Sequence, residues 1–172
     1  MKIGVFGSAL NPMTLGHVDA LRQALEIYDK VIVVASYSHA FGKNMKPFEL
    51  RLELAQTTIN NELEGENIDL LEIEKDIAQK VGDRPIYTYD VLCALSELYP
   101  EDAFEFICGS DNVEILQKFH KHEEIISRWG FREIIQRLPI RSTLVRNNVA
   151  ENKSIEGLVS SSVIKKVKEE YK

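Results

Sequence analysis

Short apolar runs alternate along the chain with segments whose apolar positions recur three and four residues apart. The runs are typical of buried strands, and the recurring positions are typical of helices that pack on a sheet. We therefore predict strands at residues 1–6, 30–35, 68–73, 104–108 and 133–137, with a short sixth strand at 142–145. Predicted helices begin near residues 16, 47, 87, 113, 120 and 160, and the stretch 78–85 is predicted to be a loop.

The second strand, residues 30–35, is β-branched and almost unbroken, which indicates burial on both faces, as in a parallel sheet. Residues 68–73 alternate more and are predicted to lie at a sheet edge. Strands that alternate with helices imply right-handed crossovers. We predict an α/β, Rossmann-like parallel sheet with strand order 3-2-1-4-5 and helices on both faces, in a single domain that spans residues 1–172.

Two loops that follow strands carry the first sign of function. Residues 7–17 change from a buried strand to small residues, Asn and Pro, and then to a helix that begins near Gly16-His17. A tight loop followed by a helix start presents backbone N–H groups to an anion such as phosphate. The second loop, Gly109 to Asp111, follows the fourth strand, which neighbours the first in the predicted order. Both loops would therefore meet at the switch point where open α/β sheets bind ligands, and we predict a nucleotide there.

A third signal is the serine run Ser160-Ser161-Ser162, followed by Lys165. One serine is enough to cap a helix. Taken alone, this segment would be an ordinary serine N-cap followed by a basic helix. Together with the first loop, three serines with a lysine one turn later predict an anion site at the start of the last helix.

Charge and cysteine content narrow the classes of partner. The formal net charge of −6 argues against general nucleic-acid binding, which needs a basic surface. No apolar run approaches membrane length and no signal peptide is evident. Cys93 and Cys108 lie in apolar segments without metal-ligand spacing, which is typical of free thiols in a reducing cytoplasm. We expect small-molecule substrates, no nucleic acid, no membrane and a cytoplasmic location, and leave self-association as a homo-oligomer open.

The first loop resembles the signature of the nucleotidyltransferase α/β-phosphodiesterase superfamily. The matching positions are Gly7, Pro12, Thr14, Gly16 and His17, while Ser8, Ala9, Leu10 and Asn11 replace the usual Gly, Thr, Phe and Asp. The same superfamily carries a C-terminal Ile-Ser-Ser-Thr/Ser-x-Ile-Arg motif. Residues 159–165 are similar to it, with Val in place of Ile and Lys165 in place of Arg.

Within the superfamily, three further segments look like the bacterial nicotinate mononucleotide adenylyltransferases. They are residues 87–92, residues 109–111 and the segment that begins at Phe119. This resemblance implies transfer of AMP from ATP to nicotinate mononucleotide with release of pyrophosphate, in NAD biosynthesis. Thr14 instead follows the habit of phosphopantetheine adenylyltransferases. Another phosphate acceptor, or CTP as donor, therefore stays open. The irregular loop Ser8–Asn11, Thr14 and Lys165 also leave open a non-catalytic nucleotide-binding protein on the same fold.

The resemblance also implies roles for individual residues. His17 would donate to the α-phosphate of ATP, with Thr14 and Lys165 as further catalytic residues. Mg²⁺ would enter with ATP and bridge phosphate oxygens, without a dedicated set of protein ligands. The expected nucleotide contacts are Gly7, Ser8, Ala9, Gly16, Gly109, Asp111, Ser160, Ser161 and Ser162. The expected substrate contacts are Lys43 and Arg51, to the acceptor's phosphate or to the triphosphate, and Thr88, to the nicotinate ring.

Overall fold

The computed structural model describes residues 1–37, 44–109 and 116–172. Its strands are β1 (Lys2–Ser8), β2 (Lys30–Ala35), β3 (Ile68–Leu71), β4 (Ala103–Gly109) and β5 (Phe131–Ile134). All neighbouring strands pair in parallel, in the order β3-β2-β1-β4-β5. The predicted sheet order is confirmed, and β3 lies at an edge as expected.

Helices connect the strands and cover the sheet. They are α1 (Leu15–Ile27), α2 (Phe48–Glu62), α3 (Ile73–Val81), α4 (Thr88–Leu98), α5 (His122–Arg128), α6 (Ser142–Ala150) and α7 (Ile164–Glu170). A single 3-10 turn, Ser161–Val163, precedes α7. Along β2, Val31 and Val33 pack into the core on the α1 and α2 side, while Ile32 and Val34 pack into the core beneath α3 and α4. Helices therefore cover both faces, as predicted.

A third cluster of buried side chains ties the last two helices to α2. Val145 and Val149 of α6 pack with Val163, Val167 and Leu54. The cluster brings the C-terminal part of the chain beside the loop that follows β1.

Three predicted elements are wrong. Residues 142–145 form the start of α6 instead of a strand, because Val145 and Val149 are one helical turn apart and both are buried. Residues 73–81 form α3, with Ile73 and Ile77 buried, where a strand end and a loop were expected. The last strand is Phe131–Ile134, two residues before its predicted start. The helix predicted from Val113 begins outside the described residues.

Two general expectations can also be compared with the structure. Cys93 and Cys108 are both free thiols, and Cys108 is buried. Within residues 1–37, 44–109 and 116–172, no helix combines the length and apolar character needed to cross a membrane.

Candidate active site

A cleft of about 790 Å³ opens at the carboxyl ends of β1 and β4, which is the predicted switch point. Its size is that of a site for a small organic ligand. The predicted site residues that line it are Gly7, Ser8, Ala9, Gly16, His17, Thr88 and Gly109. Lys43 and Asp111 lie outside the described residues.

His17 stands in the first turn of α1 with its ring held in one orientation. The backbone N–H of Thr14 donates to Nδ1 at 2.9 Å. Nδ1 is therefore unprotonated, and the neutral ring carries its proton on Nε2. Nε2 lies 3.4 Å from Ser8 Oγ, and Phe6 packs against the ring edge-on. Burial lowers the pKa of His17 to about 4, so the ring is a neutral hydrogen-bond donor near pH 7.

Thr14 is fully buried and acts as the N-cap of α1. Its Oγ1 accepts from the backbone N–H groups of Gly16 and His17, at 3.1 and 3.3 Å. With the bond to His17 Nδ1, this forms a reciprocal capping box. Thr14 therefore positions His17, and the expectation that Thr14 takes part in the chemistry directly is corrected because it does not line the cleft.

Gly16 allows two parts of the site to touch. A Cβ built on Gly16 would lie 2.5 Å from the backbone oxygen of Ile140. Residues 140–146 can therefore approach the start of α1 only because position 16 has no side chain. The expected role of Gly16 was close approach of a phosphate, and the structure adds this close approach of a second backbone segment.

Side chains from the C-terminal part of the chain hold the loop after β1 in place. Arg146 Nη1 donates to the carbonyl of Asn11 at 2.7 Å, and Ser142 Oγ donates to the carbonyl of Pro12 at 2.7 Å. The hydroxyl of Tyr171 donates to Asn11 Oδ1 at 2.8 Å. The loop is thus fixed before any ligand binds.

Arg51 occupies a different place from the predicted one. Its side chain is 1% exposed and is not part of the cleft lining. Its Nε donates to the carbonyl of Lys46, and its Nη1 donates to the carbonyls of Ala9 and Ser36, at 2.7–2.8 Å. The expectation that Arg51 binds a substrate phosphate is therefore corrected: its guanidinium ties the loops after β1 and β2 to the start of α2.

The serine run at residues 160–162 and Lys165 also lie away from the cleft. Ser160 is fully buried, accepts from Asn61 Nδ2 at 3.0 Å and caps the 3-10 turn. Lys165 is exposed and lines a separate surface depression with Lys153 and Lys168. The expectation that Ser160, Ser161, Ser162 and Lys165 hold phosphates is corrected, because α7 packs on α6 and does not face the cleft.

Sequence reasoning missed several residues of the cleft, including one group of four. These four lie at the start of α6 and are Arg141, Ser142, Thr143 and Arg146. A signal for them is present, since residues 140–146 read Ile-Arg-Ser-Thr-Leu-Val-Arg and fit the same C-terminal motif, with Arg146 at its arginine position. The helix N-terminus, two hydroxyls and two guanidinium groups make this segment a strong anion site.

A scan against protein families finds one model that matches residues 5–166, described as cytidylyltransferase-like. The match covers nearly the whole chain. The chain belongs to the cytidylyltransferase-like family.

Full-length relatives of this cytidylyltransferase-like protein share one name. A Fusobacterium nucleatum protein is 28% identical over 99% of both chains, and a Cytophaga hutchinsonii protein is 29% identical over 95% of this chain and 93% of its own. Both are named nicotinate-nucleotide adenylyltransferase.

Solved structures give the same picture of the fold. A Vibrio parahaemolyticus protein assigned as a nicotinate-nucleotide adenylyltransferase is 29% identical, with a TM-score of 0.83 and coverage of 96% of this chain and 97% of its own. The Plasmodium falciparum nicotinic acid mononucleotide adenylyltransferase in complex with NaAD is 19% identical, with a TM-score of 0.74 and coverage of 96% and 95%. The second likeness supports the fold alone.

Proposed function

We propose that this protein transfers AMP from ATP to nicotinate mononucleotide and releases pyrophosphate. The observation that carries the proposal is the neutral His17 ring, whose Nε2–H faces a cleft that is also lined by Arg141 and Arg146. The choice of acceptor is supported by the full-length relatives, which share the name of this enzyme.

The reaction needs orientation and charge stabilisation more than covalent help. An oxygen of the acceptor phosphate attacks the α-phosphorus of ATP, the bond to the β-phosphate oxygen breaks, and pyrophosphate leaves. His17 Nε2–H would donate to an α-phosphate oxygen as negative charge gathers there. Because Nδ1 is already fixed by Thr14, the ring needs no rearrangement before the reaction.

The start of α6 would hold the leaving group. Ser142 and Thr143 lie in its first turn, and Arg141 and Arg146 flank them. Guanidinium groups bind phosphate oxygens in pairs, which suits the β- and γ-phosphates of ATP. The acceptor ring would lie on the opposite side of the cleft, beside Thr88, as the resemblance implies.

Mg²⁺ would accompany ATP. The described ranges contain no group of three or more His, Cys, Asp or Glu side chains that could hold a metal ion. Mg²⁺ that binds with ATP is usually held by phosphate oxygens and water, with few protein ligands. The ion would neutralise charge on the triphosphate.

The other candidate functions lose part of their support. Thr14 suggested a different acceptor, yet its side chain is buried in the helix cap and does not line the cleft. Loss of turnover is suggested by the irregular loop Ser8–Asn11, by Thr14 and by Lys165 at an arginine position, but Arg146 occupies that arginine position in the segment that does line the cleft.

Replacing Arg146 or Lys165 by alanine tests which of the two residues binds phosphate. We expect Arg146→Ala to lower kcat/KM for ATP by roughly 10–100-fold, because a charge-assisted contact to phosphate is lost. Lys165→Ala, the matched change on the neighbouring helix, should leave both kinetic parameters unchanged. If the Lys165 variant had a raised KM for ATP and the Arg146 variant had normal kinetics, the phosphate site would instead lie at residues 159–165.

The function itself is tested by pyrophosphate release with Mg²⁺. ATP and CTP are each combined with nicotinate mononucleotide, nicotinamide mononucleotide or phosphopantetheine. We expect release with ATP and nicotinate mononucleotide. Release with phosphopantetheine alone would overturn the acceptor, and silence in all mixtures, with ATP still raising the melting temperature, would indicate a nucleotide-binding protein without turnover.

A further inference from the structure

Glu74 is a cleft residue to which neither the proposed reaction nor the sequence motifs give a role. It stands in the first turn of α3, next to Ile73, which packs into the core. Its Oε1 accepts from the backbone N–H of Tyr37 at 3.2 Å. Among the described residues no hydrogen bond is made by Oε2, so this oxygen can take a donor from a ligand in the cleft.

The charges of the cleft are divided between its two sides. On the side formed by α1 and α6 the charged lining residues are Asp19, Arg141 and Arg146, and Asp19 is paired with Arg137 at 2.6 Å. On the side formed by β2, α3 and the approach to α4, Glu74 is the one charged lining side chain within the described residues. Its neighbours on that side are Val34, Ser36, Ile86, Thr88 and Val91.

Because of its surroundings, the Glu74 carboxyl is populated in both its protonated and its ionised form near pH 7. Burial raises the pKa of Glu74 to about 7, while the Tyr37 N–H and Arg51 act in the opposite direction and Asp90 adds to the rise. Arg51 is held by backbone carbonyls, and Asp90 is paired with Arg84 at 2.8 Å. His39 and Lys43 lie outside the described residues.

We propose that Glu74 discriminates between acceptors by the charge of the group on their ring. The inference rests on the proposed function, which places the acceptor ring beside Thr88 on the same side of the cleft. An ionised Glu74 repels a ring carboxylate and accepts a hydrogen bond from a ring carboxamide. A protonated Glu74 donates its O–H to a ring carboxylate, so the charge state of one residue selects between the two.

This gives a sign for the pH dependence. As pH rises through about 7, Glu74 loses its proton and the preference for nicotinate over nicotinamide mononucleotide falls. The acceptor phosphate titrates in the same range, but it is common to both acceptors and cancels in the ratio. His17, with a pKa of about 4, does not change charge in this range.

The test is the ratio of kcat/KM for nicotinate mononucleotide to that for nicotinamide mononucleotide, measured from about pH 6 to about pH 8.5. The wild-type ratio should fall on the order of tenfold, since two like charges in a partly buried site disfavour binding by about that much. Glu74→Gln should give a ratio that does not change with pH, because the amide keeps an acceptor for Tyr37 N–H but cannot ionise. Glu72→Gln, an exposed carboxylate at the start of the same helix, is the control and should follow wild type.

The possible outcomes distinguish failure of the proposed role of Glu74 from failure of the proposed function. A ratio that falls equally in wild type and in Glu74→Gln, or in neither, would overturn the role of Glu74 while leaving the adenylyltransferase intact. No turnover of either mononucleotide would overturn the proposed function and this inference together. The melting temperatures of both variants should match wild type. Glu74→Gln keeps an acceptor for the Tyr37 N–H, and the Glu72 side chain makes no hydrogen bond to Tyr37 in the wild type.

Discussion

His17→Ala is expected to lower kcat by about 10²–10³-fold, the usual cost of removing one preorganised donor to a transition state. The melting temperature should change little, because the ring packs at the rim of a cleft and Thr14 Oγ1 still caps the helix. Steady-state pyrophosphate release and thermal melting check both parts.

The pH profile adds a second test of the same residue. Because burial holds the pKa of His17 near 4, the ring stays neutral and donates through Nε2 at all pH values from about 5.5 to 8.5. Wild-type kcat should therefore show no histidine ionisation near the ordinary value of 6.5. His122→Ala, which changes a histidine that does not line the cleft, is the control and should be fully active. If His17→Ala kept near-normal turnover, His17 would have no role in the reaction and would serve only in the helix cap.

Arg51→Met should destabilise the fold by about 3 kcal/mol and lower the melting temperature by roughly 6–12 °C. Methionine fills a similar volume, but three backbone carbonyls, those of Ala9, Ser36 and Lys46, lose their donors in the interior. Activity should fall as well, since the Ala9 carbonyl belongs to the loop that lines the cleft.

The matched control for this change is Arg22→Met. Arg22 is 52% exposed and pairs with Glu62 at 3.6 Å, so its loss should cost less than about 1 kcal/mol. If Arg51 bound a substrate phosphate, Arg51→Met would raise KM while the melting temperature stayed near wild type. The two readouts therefore separate a residue that supports the loops from one that binds a ligand.

The sheet could be predicted because its strands are defined by local pattern. The β2 run is apolar on both faces, and such a strand has no stable place except the middle of a covered sheet. Strand order followed from the alternation with helices. The helix α3 was not predicted because Ile73 continues the apolar pattern of β3. That continuity hides the four-residue spacing between Ile73 and Ile77, which is typical of a helix.

The first loop was predicted well for the same reason: residues 7–17 act within one strand-loop-helix unit. The segment proposed to bind phosphate could not be predicted, because two stretches of the chain fit one motif. Residues 159–165 depart from it at Val159 and Lys165, and residues 140–146 depart from it at Arg141 and Val145, so the two stretches fit equally well. Only the packing decides between them: buried Val163 and Val167 turn α7 toward α6, and Gly16 admits the Ile140 carbonyl.

The contacts that hold the loop after β1 affect how the protein folds during synthesis. This loop leaves the ribosome well before three of its hydrogen-bond partners, Ser142, Arg146 and Tyr171. A nascent chain that has reached β4 already contains His17 and the Arg51 contact to Ala9, but it lacks the contacts from α6 and Tyr171 that hold Asn11 and Pro12. Nucleotide can therefore assist folding only of chains that extend past α6, and a stalled product that stops before α6 should not be retained on an ATP resin.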